Sequence, residues 1–96
     1  MIVQRLTCRV VPGAVESIVA MLRGEQARPE GPRAMRIYNC IYGPANTVIL
    51  ELEFEEIGEV GAFWEAWFAE PTSPAFTEKW NQLVTKTVSN EIWELY

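Results

Sequence analysis

Residues 47–55, with the sequence TVILELEFE, show the clearest pattern in this chain. Two sets of side chains alternate along it: Val48, Leu50, Leu52 and Phe54 form the apolar set, and Ile49, Glu51, Glu53 and Glu55 form the other. Because successive side chains of a β-strand point to opposite faces of a sheet, this period of two predicts a strand with one apolar face. The apolar face must pack on helices, and the second face then carries Glu51 and Glu53.

Outward from this strand, the pattern changes repeatedly between period two and helical spacing. Strand-like patterns cover residues 2–11, 35–42, 47–55 and 91–96, and helical patterns cover residues 14–28 and 59–88. The order βαββαβ predicts one α+β domain over residues 1–96, with a ferredoxin-like antiparallel sheet and all helices on one face. The other face is left uncovered, so it must meet water, a ligand or a second subunit.

The second helical segment is interrupted at residues 70–74, EPTSP. We expect a helix to end there and another to begin, with Ser73 as its N-cap and Pro74 at its first position. Large side chains recur at helical spacing on both sides of the break: Val60, Phe63, Trp64, Trp67 and Phe68, then Phe76, Trp80, Leu83, Val84 and Thr87. We favour packing in the core as the role of these rings over an aromatic ligand box.

Composition narrows the classes of function. The 96 residues carry a net charge of −5, which disfavours nucleic acid and anionic membrane surfaces as partners, since both require clustered Lys and Arg. An apolar run of 18 residues is missing, so we expect no membrane span. Polar side chains at Gln4, Arg5 and Arg9 interrupt the first apolar stretch, so we expect no signal peptide and predict a cytoplasmic protein.

Histidine is missing from the sequence, and the two cysteines, Cys8 and Cys40, lack CxxC spacing. Zinc sites and the most common general base are therefore disfavoured, and we predict neither a metal nor a cofactor. The cysteines are expected to be small buried or half-buried thiols in a reducing compartment. If the protein is an enzyme, we expect it to work without a metal and without a histidine base.

Charges on the uncovered face should pair across strands. Arg5 and Arg9 share one face of the first strand, and the usual sheet order 4-1-3-2 places that strand beside residues 47–55. Arg5 or Arg9 should therefore contact Glu51 or Glu53, and each such pair contributes up to about 1 kcal/mol. The alternative is that an arginine captures an anionic group of a substrate, and we favour the pairing.

Three short motifs carry a family resemblance that covers nearly the whole chain: RVVPG at residues 9–13, GPANTV at residues 43–48 and SPAF at residues 73–76. They resemble, in turn, the opening strand, the hairpin turn and the start of the last helix in the dimeric α+β barrel superfamily. Within that superfamily the chain looks like the NIPSNAP-type proteins, which are related to antibiotic-biosynthesis monooxygenases. It departs from them at Leu50 and Leu52, where NIPSNAP-type chains often carry His and Trp, and it lacks the histidine with which haem-degrading relatives bind haem.

The resemblance implies a homodimer in which two sheets pack through their uncovered faces into a closed barrel. It also implies small cavities between sheet and helices, where some relatives bind substrate. We take a ligand-binding or regulatory dimer for a small apolar or aromatic molecule as the first hypothesis. A cofactor-independent monooxygenase or isomerase acting on an aromatic or polyketide-like substrate is the second, and a purely structural or interaction module is the third.

Whether the protein is an enzyme is left open, and no catalytic residue is assigned. The candidates for contact with a ligand are Arg36, Tyr38, Asn39, Tyr42, Trp64 and Trp67. Both faces of residues 35–42 are partly apolar, so the pattern does not decide which of them lines a pocket.

Overall fold

Four strands and three helices form an antiparallel α+β sandwich, in a computed structural model that describes residues 1–29 and 31–96. They are β1 (Ile2–Val10), α1 (Val15–Gln26), β2 (Ala34–Asn39), β3 (Thr47–Phe54), α2 (Gly58–Phe68), α3 (Ser73–Leu83) and β4 (Val84–Glu94). The sheet order is β2-β3-β1-β4, with antiparallel pairing throughout. This confirms the predicted ferredoxin-like fold and its strand order.

The central pair of strands, β1 and β3, decides which side chains enter the core. Leu6 lies opposite Leu50, and Cys8 lies opposite Val48, on the face that the helices cover. The buried core consists of Val10, Ala14, Ile18, Leu22, Val48, Leu50, Leu52, Phe54 and Val60. Removing apolar side chains from water is the main source of favourable free energy on folding, so the apolar set of a strand faces the helices. The period of two in residues 47–55 therefore identified the helix-covered face correctly.

The last strand is longer than predicted, and the helix before it is shorter. The prediction of helix through residue 88 is wrong, because α3 ends at Leu83 and β4 begins at Val84. Val84 and Thr87 continue the helical spacing of α3 by coincidence, while the run VTKTV at residues 84–88 is rich in the β-branched residues that favour strands. Pairing of β4 along the whole of β1 supplies hydrogen bonds that an extended α3 would forgo.

The hairpin between β2 and β3 is also longer than predicted. Strand β2 ends at Asn39 and not at residue 42, and residues 40–46 form the connection. Gly43 has φ +135°, a conformation that residues with a Cβ rarely adopt, and Asn46 has φ +52°, which asparagine tolerates better than most residues. The backbone oxygen of Asn46 accepts a hydrogen bond from the Val10 N–H at 2.8 Å. These two residues therefore turn the chain back beside β1.

Ser73 was predicted as an N-cap, and this is wrong, because Ser73 is the first residue of α3 and Thr72 precedes it. Its buried hydroxyl instead donates a hydrogen bond to the backbone oxygen of Trp67, near the end of α2. Pro74 is therefore the second residue of α3 and not the first, as was predicted, although it still lies in the first turn. The Ser73 hydroxyl thus ties together the two helices that follow β3.

Candidate functional site

A cavity of about 920 Å³ lies between the helix-covered face of the sheet and the helices. Side chains of β1 and β3 form its floor, among them Leu6, Cys8, Leu50 and Leu52. Aromatic rings of α2 and α3 form its wall: Phe63, Trp64, Trp67, Phe68, Phe76 and Trp80. Much of the surface that was predicted as solid core therefore encloses space for a small molecule.

The rings of this aromatic wall hold one another in place. Trp67 packs edge-on against Phe76, with ring centroids 5.2 Å apart and an interplanar angle of 83°. Trp64 packs edge-on against Trp67, with centroids 6.0 Å apart. Such pairs contribute about 0.5–1.5 kcal/mol each beyond their buried area. The wall is therefore a connected set of rings that presents faces and edges to the cavity.

Trp64 is tied to the sheet by its indole nitrogen. Its Nε1–H donates a hydrogen bond to Oε1 of Gln4 at 2.7 Å, and Nε2 of Gln4 donates to Oδ1 of Asn90 at 3.0 Å. Gln4 is only 4% exposed, although it lies on the apolar face of β1. Because its N–H is already engaged, Trp64 offers a ligand its ring and not a hydrogen-bond donor.

Charged side chains surround the opening of the cavity, and each has a partner. Arg28 binds Glu25, with 3.0 Å between Nη1 and Oε2, and it also binds Glu70. These two hydrogen bonds raise the pKa of the Arg28 guanidinium further above its ordinary value. On the other side of the opening, Arg33 binds Glu55 at 3.3 Å.

The sixth charged side chain at the opening is Glu59, in the first turn of α2. Its Oε2 accepts hydrogen bonds from the backbone N–H groups of Glu55 and Glu56, both at 2.8 Å. This arrangement satisfies backbone donors at the start of the helix, where a negative charge is also favoured by the helix dipole. We call these six side chains the acidic rim: Glu25, Arg28, Arg33, Glu55, Glu59 and Glu70.

The thiol of Cys8 lies in the cavity floor and is 2% exposed. Burial raises the pKa of this thiol, and a hydrogen bond with the side chain of Thr87 opposes the rise only in part. The thiol is therefore protonated at neutral pH and is a poor nucleophile. Cys40 lies in the connection after β2 and is half-buried.

The uncovered face of the sheet contains a network of charges centred on Glu51, whose side chain is 8% exposed. Arg5 binds Glu51 Oε2 with its Nη2 at 2.6 Å, and Arg36 binds Glu51 Oε1 with its Nε at 3.1 Å. The hydroxyl of Tyr38 donates to the same Oε1 at 3.0 Å, and Arg36 also reaches Glu53 at 3.0 Å. The predicted contact between Arg5 and Glu51 is thus present, and Arg36 joins it from β2.

Burial by itself would raise the pKa of the Glu51 carboxyl. The hydrogen bonds from Arg5, Arg36 and Tyr38 outweigh burial, so the pKa lies below its ordinary value. In the strand register, Arg36, Glu51, Arg5 and Glu91 stand side by side across the four strands. We call these four residues the charged row, in which positive and negative side chains alternate. Arg9, the other predicted arginine, is exposed and lies between Thr47 and Lys86.

Of the six residues predicted to contact a ligand, the structure brings two together at the cavity, Trp64 and Trp67. Arg36 and Tyr38 lie on the opposite face of the sheet and bind Glu51. Tyr42 is 97% exposed in the hairpin connection. Asn39 lines a shallow pocket beside α1.

The register of β2 against β3, which the local sequence does not determine, separates these residues. Ile37 pairs with Leu50 and so faces the helices, which places its neighbours Arg36 and Tyr38 on the uncovered face. The aromatic positions of α3 that line the cavity, Phe76 and Trp80, were visible in the periodicity but were interpreted as core. Periodicity marks the buried side of a helix and does not measure its distance from the sheet.

Within residues 1–29 and 31–96, no three His, Cys, Asp or Glu side chains come together as a metal site. None of the helices in the described part of the chain combines the length and the apolar character that crossing a bilayer requires.

Solved structures with the same fold include NIPSNAP proteins and an antibiotic biosynthesis monooxygenase. A NIPSNAP family protein of unknown function from Agrobacterium tumefaciens matches with a TM-score of 0.81 at 16% identity, over 97% of this chain and 86% of that one. A NIPSNAP-like domain protein from Burkholderia xenovorans matches with a TM-score of 0.83 at 17% identity, over 99% and 84%. The fold is that of the NIPSNAP proteins.

An antibiotic biosynthesis monooxygenase shares the NIPSNAP fold, with a TM-score of 0.72 at 10% identity over 100% of this chain and 99% of that one. No protein-family model and no curated protein matches the sequence. The predicted resemblance to NIPSNAP-type proteins and their monooxygenase relatives is therefore confirmed, and at these identities it is a likeness of fold.

Proposed function

We propose that this protein binds a small planar aromatic molecule in the cavity between its sheet and helices α2 and α3. The observation that carries the proposal is the aromatic wall beside an apolar floor. Ligand sites commonly have volumes of about 300–1,000 Å³ and apolar linings, and this cavity falls within both descriptions. A planar ligand would contact the faces and edges of Trp64, Trp67 and Trp80, which favour aromatic partners.

Binding, and not turnover, is the first proposal because the groups of the described lining that could act as nucleophile or base are held in unreactive states. The acidic rim is paired within the protein, the Trp64 N–H binds Gln4, and the Cys8 thiol is protonated. Among the described residues, every buried side-chain nitrogen and oxygen has a hydrogen-bond partner. A catalytic site would be expected to hold an activated nucleophile or base within reach of the reacting atoms.

Oxygenation of the bound molecule is the second candidate. It is favoured by the fold that this chain shares with an antibiotic biosynthesis monooxygenase. Anthrone is a suitable probe, since it is planar, neutral and rich in electrons. Consumption of oxygen by anthrone with the protein, beyond the rate without it, would support this candidate, and binding without consumption would support the first.

A larger side chain on α2 that occupies the cavity tests whether the ligand binds there. Ala66 lines the cavity, so we expect Ala66→Phe to place a ring inside it and to weaken the binding of anthracenemethanol about tenfold or more. Ala75→Phe is the matched control, because Ala75 is exposed on α3 outside the cavity lining. Titration followed by tryptophan fluorescence and by calorimetry measures the affinity. Equal affinity in wild type and Ala66→Phe, or no binding to wild type, would contradict the proposal.

We also propose that the functional unit is a homodimer packed through the uncovered face of the sheet. That face presents the exposed aromatic side chains of Tyr38 and Trp93, together with half-exposed Arg5 and Arg36. A domain of this size buries a smaller fraction of its surface on folding than a larger domain does, and it gains from a partner. Glu51, at the centre of the face, can be covered without stranding its charge, because it is already paired with both arginines.

A further inference from the structure

The acidic rim surrounds the aromatic cavity with an unequal number of charges. Four carboxylates and two guanidinium groups belong to it, which gives the described lining a net charge of −2 at neutral pH. The whole chain adds to this, with its net charge of −5. Any ligand that enters the cavity therefore crosses a region of negative potential, and a concave opening with apolar walls concentrates such a field.

The positive charges of the two guanidinium groups of the rim are offset by carboxylates that bind them. Arg28 is held by two carboxylates, from Glu25 and Glu70, and Arg33 is held by Glu55. An anionic group on a ligand would have to displace one of these carboxylates or lie beside it. Both alternatives are unfavourable, because like charges repel and a displaced carboxylate loses its hydrogen bonds.

The carboxylates of the rim, in contrast, keep acceptor capacity. Among the described residues, Glu25 and Glu70 bind Arg28 through Oε2, and Glu59 accepts the backbone N–H groups of Glu55 and Glu56 through Oε2. A carboxylate offers about four lone-pair sites on two oxygens, so each of these groups can accept a further donor through Oε1. An ammonium group supplies three donors and a positive charge.

The aromatic wall favours the same kind of ligand. Positive charge is attracted to the face of an indole ring, most strongly where water is excluded. Trp64, Trp67 and Trp80 all line the cavity, and the N–H of Trp64 is occupied by Gln4, which leaves its ring as the contact. The rings of the aromatic wall and the carboxylates of the acidic rim therefore both favour a positively charged ligand.

We propose that the cavity selects planar aromatic molecules that carry a protonated amine and rejects their anionic counterparts. The inference rests on the proposed function, since it names the class of ligand for that same cavity. Its recognition elements are the faces of the three tryptophans and the free oxygens of Glu25, Glu59 and Glu70.

Three anthracenes substituted at the same ring position test this selection, because they differ in charge and hardly in shape. They are anthracenylmethylamine, which is cationic, anthracenemethanol, which is neutral, and anthracenecarboxylate, which is anionic. We expect the amine to bind about fivefold more tightly than the alcohol at low salt, and the carboxylate to bind about fivefold less tightly. The differences should shrink as salt rises from about 10 mM to about 1 M, because the Debye length falls from about 30 Å to about 3 Å.

Variants in which a carboxylate of the acidic rim becomes a neutral amide test whether the rim causes the preference for the amine. Glu70→Gln and Glu25→Gln each remove one carboxylate of the rim and release a hydrogen bond of Arg28, so the ratio of amine affinity to alcohol affinity should fall about threefold or more in each. Glu78→Gln is the matched control, because Glu78 is exposed on α3 outside the cavity lining, and it should leave the ratio unchanged.

The outcomes separate the selection from the function on which it rests. If no anthracene binds wild type, the proposed function fails, and the selection fails with it. If alcohol, amine and carboxylate bind with equal affinity, or if the carboxylate binds best, the selection is wrong while the ligand-binding function stands. A preference for the amine that is lost in Glu70→Gln and kept in Glu78→Gln supports both.

Discussion

Glu51 shows how a single carboxylate is kept charged in the middle of a sheet face. Its side chain is almost buried, and removal from water disfavours the ionised form. Two guanidinium groups and a phenol hydroxyl compensate by donating hydrogen bonds to its two oxygens. The balance favours the ionised form in the folded chain, and the stability of the protein should therefore depend on the protonation of this residue.

We expect Glu51→Gln to lower the free energy of unfolding by about 1–3 kcal/mol at neutral pH, since it removes charge-assisted hydrogen bonds from Arg5 and Arg36. The folded state lowers the pKa of Glu51, so its contribution is present above the ordinary value of 4.5 and is lost as the pH falls through the lower pKa of the folded protein. The difference between variant and wild type should therefore shrink in acid.

Urea unfolding at one fixed protein concentration, repeated from neutral pH down to about pH 3, measures this dependence. Glu78→Gln, at an exposed position of α3, is the control and should change the free energy of unfolding by about 0.5 kcal/mol or less. A difference between Glu51→Gln and wild type that stays the same at every pH would show that the charge of Glu51 does not stabilise the fold.

At the scale of the elements, helix α2 is held to the sheet by a polar link inside an apolar layer. The link runs from the Trp64 N–H through Gln4 to Asn90, and so it joins α2, β1 and β4. Hydrogen bonds between buried side chains are specific in distance and direction, whereas contacts between rings permit sliding. The link therefore fixes the position of the aromatic wall over the cavity floor.

We expect Trp64→Phe to lower the free energy of unfolding by about 1–3 kcal/mol through the loss of a donor to buried Gln4, in addition to the smaller ring. Trp67→Phe, the same change in the next turn of α2, reduces the ring without unpairing Gln4. In the double variant Trp64→Phe with Gln4→Leu, no unsatisfied glutamine oxygen is left in the layer. Its loss should therefore be smaller than the sum of the two single losses by about 1 kcal/mol in chemical denaturation. Additive losses would contradict a hydrogen bond between these residues.

A helix or strand could be predicted where the local sequence determines it, and could not be predicted where contacts distant in sequence determine it. Residues 47–55 could be assigned to a strand and a face because alternation alone determines both. The boundary between α3 and β4 could not, since Val84 and Thr87 satisfy helical spacing and their pairing with β1 lies more than 70 residues away in sequence. The periodicity could not predict the cavity either, because its existence depends on the distance between α2 and the sheet. Only the family resemblance implied cavities between sheet and helices.

At the scale of the whole molecule, the uncovered sheet face predicts self-association. Light scattering at micromolar concentration should report twice the chain mass of 10.9 kDa. Ile49 lies on the uncovered face beside Tyr38 and Thr7, so Ile49→Lys should yield a monomer, because it places an unpaired charge in the interface. Ala75→Lys is the control, because Ala75 is an exposed residue of α3, and it should leave the mass measured by light scattering unchanged. A wild-type monomer at these concentrations would contradict the homodimer.

The charged row also has a property of symmetry. From Arg36 in β2 to Glu91 in β4, the charges along the row are positive, negative, positive and negative. If the row is followed from its other end, the sign at every position is the opposite. Two copies related by a twofold axis parallel to the strands would bring the first position of one row opposite the last of the other, so that each guanidinium faces a carboxylate. An axis along the row itself would bring like charges together. The alternation of charge along the row of one chain thus favours one of these two orientations of a second copy over the other.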